Sequence, residues 1–266
     1  MLAAAALAAA AAAQPAPDGV IVFERRSGAA AADLYAVRPD GTGLRRLTRT
    51  RNNVDPAVSP DGRSIAFASH RAHGPGATEI FVMRSNGTSV RRLTKNARSN
   101  RAYTIDADPT WSRDGRTIAF SRTFVRGGRS STDLFSVPAA GGPVTRLTRE
   151  AGKETAPAYS SPPELTYVRD GWVHSLLGTL RIRMFRGEDP EYSIRNHVAL
   201  SRDGLIIRNE WQGERTVGTG TDPTWSPDGT RLAWVTNDGI AVEGKPITNP
   251  DAVERDLSPS WGVPVR

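Results

Sequence analysis

The chain has no cysteine in its 266 residues, which excludes disulfides, thiolate metal sites and thiol nucleophiles. Histidine is scarce as well: His70, His73, His174 and His197 are the only four. No HExxH occurs and no histidine pair shares a helix face, so a zinc peptidase is excluded. His70 and His73 stand three apart in one loop. They are either the start of a metal site or, as is usual for loop histidines, solvated side chains. The sequence has no G-x-S-x-G, no phosphate-binding glycine loop and no EF-hand calcium loop. These absences predict a non-catalytic protein with no metal and no cofactor.

Long hydrophobic runs are missing except for the first thirteen residues, MLAAAALAAAAAA. That run is shorter than the ~20 residues a membrane-spanning helix needs. It resembles the apolar core of a secretory signal peptide, with a cut expected near Ala13 and the polar segment QPAPDG behind it. No Lys or Arg precedes it, and an alanine-rich low-complexity tail is the alternative. Residues 1–13 are thus expected to be a signal peptide, and the protein to be exported: periplasmic, in the cell envelope or secreted.

What is abundant is turn chemistry and arginine. The 25 Gly and 19 Pro suit many short strands, and 38% hydrophobic with 24% charged residues suits a globular protein. Arginine outnumbers lysine 32 to 3. The charge is uneven: residues 1–149 hold 22 Arg/Lys against 11 Asp/Glu, and residues 150–266 hold 13 against 17.

A two-part repeat organises the chain. DPAVSPDGRSIAF at 55–67, DPTWSRDGRTIAF at 108–120 and DPTWSPDGTRLAW at 222–234 are near-identical, with weaker copies at 156–168 and 197–207. Each strong copy is a short apolar segment, an Asp-Gly turn and an alternating apolar run, which is a hairpin. A second hairpin is written as DLYAVRPDGTGLRRLT at 33–48, EIFVMRSNGTSVRRLT at 79–94 and DLFSVPAAGGPVTRLT at 133–148. Two joined hairpins make four antiparallel strands, A to D, the unit of a propeller blade.

Counting blades predicts an all-β, six-bladed propeller in one domain, residues 18–262. The chain begins with VIVFE, which matches strand B, and ends with LSPSWG (257–262), which matches strand A. The two ends are expected to complete one blade and close the ring, removing exposed sheet edges. The expected blades are 18–48 plus 257–262, 54–94, 106–148, 155–186, 195–218 and 222–248. The fifth looks short and is expected to lack strand D.

The quoted repeats resemble the TolB-like propeller family, whose pattern is DPxWSPDGxxIAF followed by IYVxxxDGxxxxxLT. The resemblance covers roughly residues 18–262 and implies a six-bladed propeller. It also implies a protein-binding platform in the cell envelope, since that is the family's usual use. The same repeat serves elsewhere as a gating domain of prolyl-oligopeptidase-type enzymes and in some sugar lyases. TolB itself carries an α/β domain ahead of its propeller. The present chain reads as a free-standing propeller, for which a Tol–Pal role is not expected.

Two residue sets recur at fixed repeat positions. Trp111, Trp225 and Trp261 either stack a ligand or pack between blades, and packing is the reading favoured here. Asp55, Asp108 and Asp222 either converge on a cation at the channel mouth or satisfy backbone N–H groups where strand A begins. The second is favoured.

Because strands A and B run oppositely, the tight A–B and C–D turns share one face, and the longer B–C and D–A loops share the other. Long loops on a rigid scaffold are where binding tends to sit. They hold Arg49, Arg51, Arg71, Lys95, Arg98, Arg101, Arg122, Arg126 and Arg129, with Tyr103 and Phe124 as contact aromatics. The expected function is a monomeric scaffold binding a protein or an anionic envelope ligand on this face. Solvated loop charge is the plain alternative. Nucleic acid is not expected, since no nucleic-acid motif is present. The rival is an enzyme using the central channel, a lyase or hydrolase of envelope polymers or sugars.

Overall fold

The computed structural model describes residues 19–28, 31–72, 76–96, 102–150, 152–160, 164–177, 180–210, 213–250 and 254–263. Among them there is no helix. Twenty-four strands form six four-stranded antiparallel sheets. Blade 1 holds β1 (Val20–Ser27), β2 (Ala31–Val37) and β3 (Arg45–Arg46). Blade 2 holds β4 (Asn53–Val58), β5 (Ser64–Ser69), β6 (Glu79–Arg84) and β7 (Arg91–Arg92). Blade 3 holds β8 (Ala102–Trp111), β9 (Thr117–Arg126), β10 (Arg129–Pro138) and β11 (Thr145–Arg146). Blade 4 holds β12 (Thr155–Tyr159), β13 (Leu165–Arg169), β14 (Trp172–Leu177) and β15 (Leu180–Arg186). Blade 5 holds β16 (Glu188–Tyr192), β17 (Val198–Arg202), β18 (Leu205–Glu210) and β19 (Gly213–Thr219). Blade 6 holds β20 (Thr221–Trp225), β21 (Leu232–Thr236), β22 (Gly239–Val242) and β23 (Lys245–Pro246). Finally β24 (Glu254–Gly262) returns to pair antiparallel with β1.

The repeat's residues each have a task. In the A–B turn, Ser59 Oγ donates to Asp61 Oδ1 at 2.6 Å and accepts the Ser64 N–H at 2.9 Å. Ser112/Asp114 and Ser226/Asp228 repeat this pattern, and the following Gly sits at positive φ. The hydroxyl bond draws the carboxyls of Asp61, Asp114 and Asp228 below their ordinary range. In the second hairpin, the hydroxyls of Thr48, Thr94 and Thr148 accept the N–H of Leu34, Ile80 and Leu134, each at 2.9 Å. Two residues before each threonine an arginine pairs with a buried acid: Arg46 with Asp33, Arg92 with Glu79, Arg146 with Asp133.

Strands B and C are buried on both faces because a neighbouring blade covers each side, so they read as apolar runs. Their aromatic pairs stack across the strands, Phe23–Tyr35, Phe67–Phe81 and Phe120–Phe135, with centroids near 6 Å. An arginine lies over each pair: Arg25, Arg71 and Arg122. Arg25 is bidentate to Asp256 and Arg122 to Asp106, at 2.6 and 2.8 Å in both cases. Much of the arginine excess is therefore built into the scaffold.

The ring closes with Ile21 opposite Trp261 and Arg25 opposite Asp256. At the seam Gly262 stands where the other blades carry Ser59, Ser112, Ser160, Ser193 and Ser226. A Cβ at Gly262 would lie 2.1 Å from Val58 Cγ1, so only glycine fits there.

Two expectations are corrected. The fifth blade is complete and begins at Glu188, not 195, with β19 as its strand D. Its A–B turn has no glycine: Asn196 takes the left-handed conformation (φ 62°), and its N–H bonds to the Ser193 carbonyl as Gly62 does to Ser59. The Asp203-Gly204 turn is that blade's B–C hairpin rather than an A–B turn. Nor are the B–C connections generally long: blades 4, 5 and 6 turn in two residues, between Arg169 and Trp172, Arg202 and Leu205, and Thr236 and Gly239. In blade 3, SRTFVRGGRSSTD is not an irregular loop. β9 and β10 pair over their whole length, and Gly127-Gly128, both at positive φ, make a two-residue turn between them.

Candidate functional site: the central channel and the loop face

Strand A of every blade lines the channel, and all six share one construction. An acid or small residue at positive φ is followed by proline: Asp55-Pro56, Asp108-Pro109, Ala156-Pro157, Asp189-Pro190, Asp222-Pro223 and Ser258-Pro259. The pairing to strand B shifts register there in every blade, so each is a β-bulge. Aspartate tolerates the left-handed region better than most residues. Proline suits a strand whose far edge faces the channel, because it removes a donor that would otherwise be unpaired.

The carboxylates at these bulges link neighbouring blades. Asp108 Oδ2 accepts the Ala156 N–H at 3.3 Å and the Ser121 hydroxyl at 2.8 Å. Asp55 and Asp222 take the N–H of Asp108 and Ser258. Where blade 1 has only Ser258, Glu24 of β1 takes over and accepts the Asp55 N–H at 3.1 Å. Burial raises the carboxyls of Asp55, Asp189 and Asp222 above their ordinary range. Asp108 and Glu24 push Asp55 further, and Asp222 adds to Asp189, which reaches about 6. No group of three or more His, Cys, Asp or Glu suited to a metal ion occurs among the described residues.

Three positions on stand Val58, Trp111, Tyr159, Tyr192, Trp225 and Trp261. Trp111 Nε1 donates to the Ala57 carbonyl of the preceding blade at 2.9 Å, and Trp225 Nε1 to the Glu191 carbonyl at 3.1 Å. These indoles are occupied as inter-blade latches. Together with the bulges they enclose a cavity of about 460 Å³. At its A–B end Arg113 of blade 3 reaches across to blade 5, donating to the Ser193 carbonyl at 2.8 Å and the Ile194 carbonyl at 3.3 Å. Beside it Glu191 is pushed up to about 7 by burial, with Arg113 opposing the shift.

This arrangement has a pH consequence. Glu191 has a higher pKa folded (about 7) than its ordinary 4.5, so the folded state holds the extra proton between those values. Stability contributed by the protonated form is full below about pH 4.5 and declines as pH rises to 7. Glu191→Gln should flatten that decline by about 1–3 kcal/mol, discounted because part of the residue remains accessible from the channel. Urea denaturation of both proteins from pH 4 to 8 measures it; parallel curves would refute the assignment.

The loop-face residues divide. Arg49 and Arg51 are exposed between blades 1 and 2; the Arg51 N–H bonds Asp33 Oδ1. Arg126 and Arg129 are exposed on the blade 3 hairpin, opposite one another across its turn, and Lys95 is exposed. Arg71 is drawn inward, over Phe67 and Phe81 and bonded to Asn53 Oδ1 at 2.8 Å. Arg122 is a strand residue locked on Asp106. Phe124 packs against Phe135, while Tyr103 is partly exposed on β8. Arg98, Arg101 and His73 lie outside the described residues. Asp189 and Glu191 were missed, although EDPEYS at 188–193 carries the DP-x-aromatic-Ser pattern that would have found them.

No family model and no curated protein sequence matches the chain. Solved structures do. TolB from Acinetobacter baumannii superposes with a TM-score of 0.70 at 18% identity, covering 94% of this chain and 68% of that one. Kuenenia stuttgartiensis hydrazine synthase gives 0.70 at 14%, covering 91% of this chain and 46% of that one. A gluconolactonase from Xanthomonas campestris gives 0.56 at 16%, covering 76% and 74%. The fold is that of a six-bladed propeller of the TolB-like type. It is shared by TolB and by enzymes.

Proposed function

We propose that the chain is an exported, non-catalytic recognition scaffold that holds a protein segment or an anionic envelope ligand on its B–C/D–A face. The observation that carries this reading is the blade 3 hairpin. It lifts Arg126 and Arg129 off the scaffold, and no carboxylate pairs with either among the described residues, in contrast to Arg25, Arg46, Arg92, Arg122 and Arg146. Exposed guanidinium groups on a rigid stem suit bidentate capture of carboxylate or phosphate. The likeness to TolB supports a binding role by fold alone.

Affinity capture from the native envelope tests it. The double charge reversal Arg126→Glu/Arg129→Glu should abolish partner retention, and retention by the unaltered protein should fall steeply with salt. Retention indifferent to both would refute the loop-face reading.

Glu191 favours a second reading. A carboxyl titrating near 7 beside Arg113 in an aromatic-walled cavity has the properties of a general acid–base. Under that reading Glu191→Gln would eliminate turnover of an envelope polymer or sugar, while the Arg126/Arg129 reversal would not.

A further inference from the structure

The outer rim of blade 4 departs from the other blades. In blades 1, 2, 3 and 6 the outermost strand is two residues long. β15 has seven residues, LRIRMFR, and forms the end of its sheet order. It also exposes its apolar side chains: Leu180 is 56% accessible, Ile182 46% and Met184 44%, with Leu177 of β14 at 51%. Leu177 pairs with Leu180 and Ser175 with Ile182, so Leu177, Leu180 and Ile182 share one face. The opposite face carries Arg181 and Arg183. Arg181 contacts Glu150 at 2.5 Å, and Arg183 lies over Trp172. Arg186 is exposed at the end of the strand.

A long, apolar, unpaired edge is a template for strand addition unless something blunts it. The comparable strand β19 is blunted: its sequence GERTVGT is polar, and Glu214 is held by Arg202 at 3.0 Å. β15 has no proline; its charges are all of one sign, Arg181, Arg183 and Arg186, and a bulge falls between Arg183 and Phe185. A second copy of β15 is a poor occupant, because antiparallel pairing in phase sets Arg183 against Arg183, or Arg181 against Arg183. Like charges directly opposed are destabilising.

We infer that β15 accepts an extended polypeptide segment as a fifth strand of blade 4, and that this segment alternates apolar with acidic residues. Its apolar side would cover Leu177, Leu180 and Ile182. Its carboxylates would lie opposite Arg183 and Arg186 on the other face, with main-chain bonds along the edge supplying affinity. This surface is separate from the basic loop face and does not depend on it.

Hydrogen–deuterium exchange on the full chain, with alternating Glu–Val and Lys–Val peptides as probes, tests the inference. The Glu–Val peptide should slow exchange in residues 180–186 and bind at least about tenfold more tightly than the Lys–Val peptide. Arg183→Glu/Arg186→Glu should invert that preference, and backbone N-methylation of the peptide should abolish binding. Arg126→Glu/Arg129→Glu should change none of this, which separates failure here from failure of the loop-face reading. Absence of protection at 180–186 with either peptide overturns the inference. So does protection that follows protein concentration without peptide, which would mean self-pairing.

Discussion

Ending the chain at Pro250 is expected to abolish cooperative folding, even though β24 is the only strand lost among the described residues. β24 is the innermost strand of blade 1, and without it the sheet has an open edge along Val20–Ser27. Arg25 would lose the bidentate acceptor Asp256, and removing one partner of a buried pair costs about 3–5 kcal/mol. Trp261 is 6% exposed and packs with Ile21, Phe23, Val235 and Val242, so its loss adds about 3–5 kcal/mol. The sum is comparable with the ~5–15 kcal/mol by which a domain is stable at all. Thermal denaturation followed by circular dichroism, with size-exclusion chromatography, should show a broad non-cooperative transition and aggregates. Adding a peptide of residues 254–263 should restore part of the native signal. A truncated protein that melts sharply within a few degrees of the full chain would mean that ring closure is not what holds the propeller together. The single substitution Trp261→Ala should lie between the two.

The closure was legible because both halves of the shared blade carry repeat residues: VIVFE copies a strand B and LSPSWG a strand A. The fifth blade was not, and the reason is one substitution. Asn196 stands where the other clear copies have glycine, and a search for Asp-Gly turns stops instead at Asp203-Gly204, a genuine turn of the wrong kind. The channel acids were half legible. Asp55, Asp108 and Asp222 sit in strong copies, whereas Asp189 sits in the copy whose turn had changed. The loop-face arginines show a different limit. Spacing places Arg122 after strand B, but only the three-dimensional register brings it between Phe120, Phe135 and Asp106. Sequence pattern locates a charge and cannot say whether a partner is waiting for it.

That locking of Arg122 leads to the second large effect. Asp106→Ala should destabilise the protein by about 3–5 kcal/mol, lowering the melting temperature by roughly 10 °C. Asp106 is fully buried and receives four side-chain donors. Arg122 Nε and Nη2 approach at 2.6 and 2.8 Å, the Thr94 hydroxyl at 2.7 Å and Asn96 Nδ2 at 2.9 Å. It therefore joins the segment that follows strand D of blade 2 to strands A and B of blade 3. Alanine would take both bidentate acceptors from a guanidinium that is only 12% exposed. Asp61→Ala is the matched control. Asp61 also accepts a hydroxyl and a backbone N–H, but it is exposed in an A–B turn, so its loss should cost about 1 kcal/mol or less. Equal melting of the two variants would show that the buried network carries no special weight. The double variant Asp106→Leu/Arg122→Leu supplies the sharper test, because removing both charges also removes the stranded one. It should be clearly more stable than Asp106→Ala, with a coupling on the order of 1–3 kcal/mol in a double-mutant cycle. If it is no better, the loss comes from packing around Asp106 and not from the unpaired Arg122.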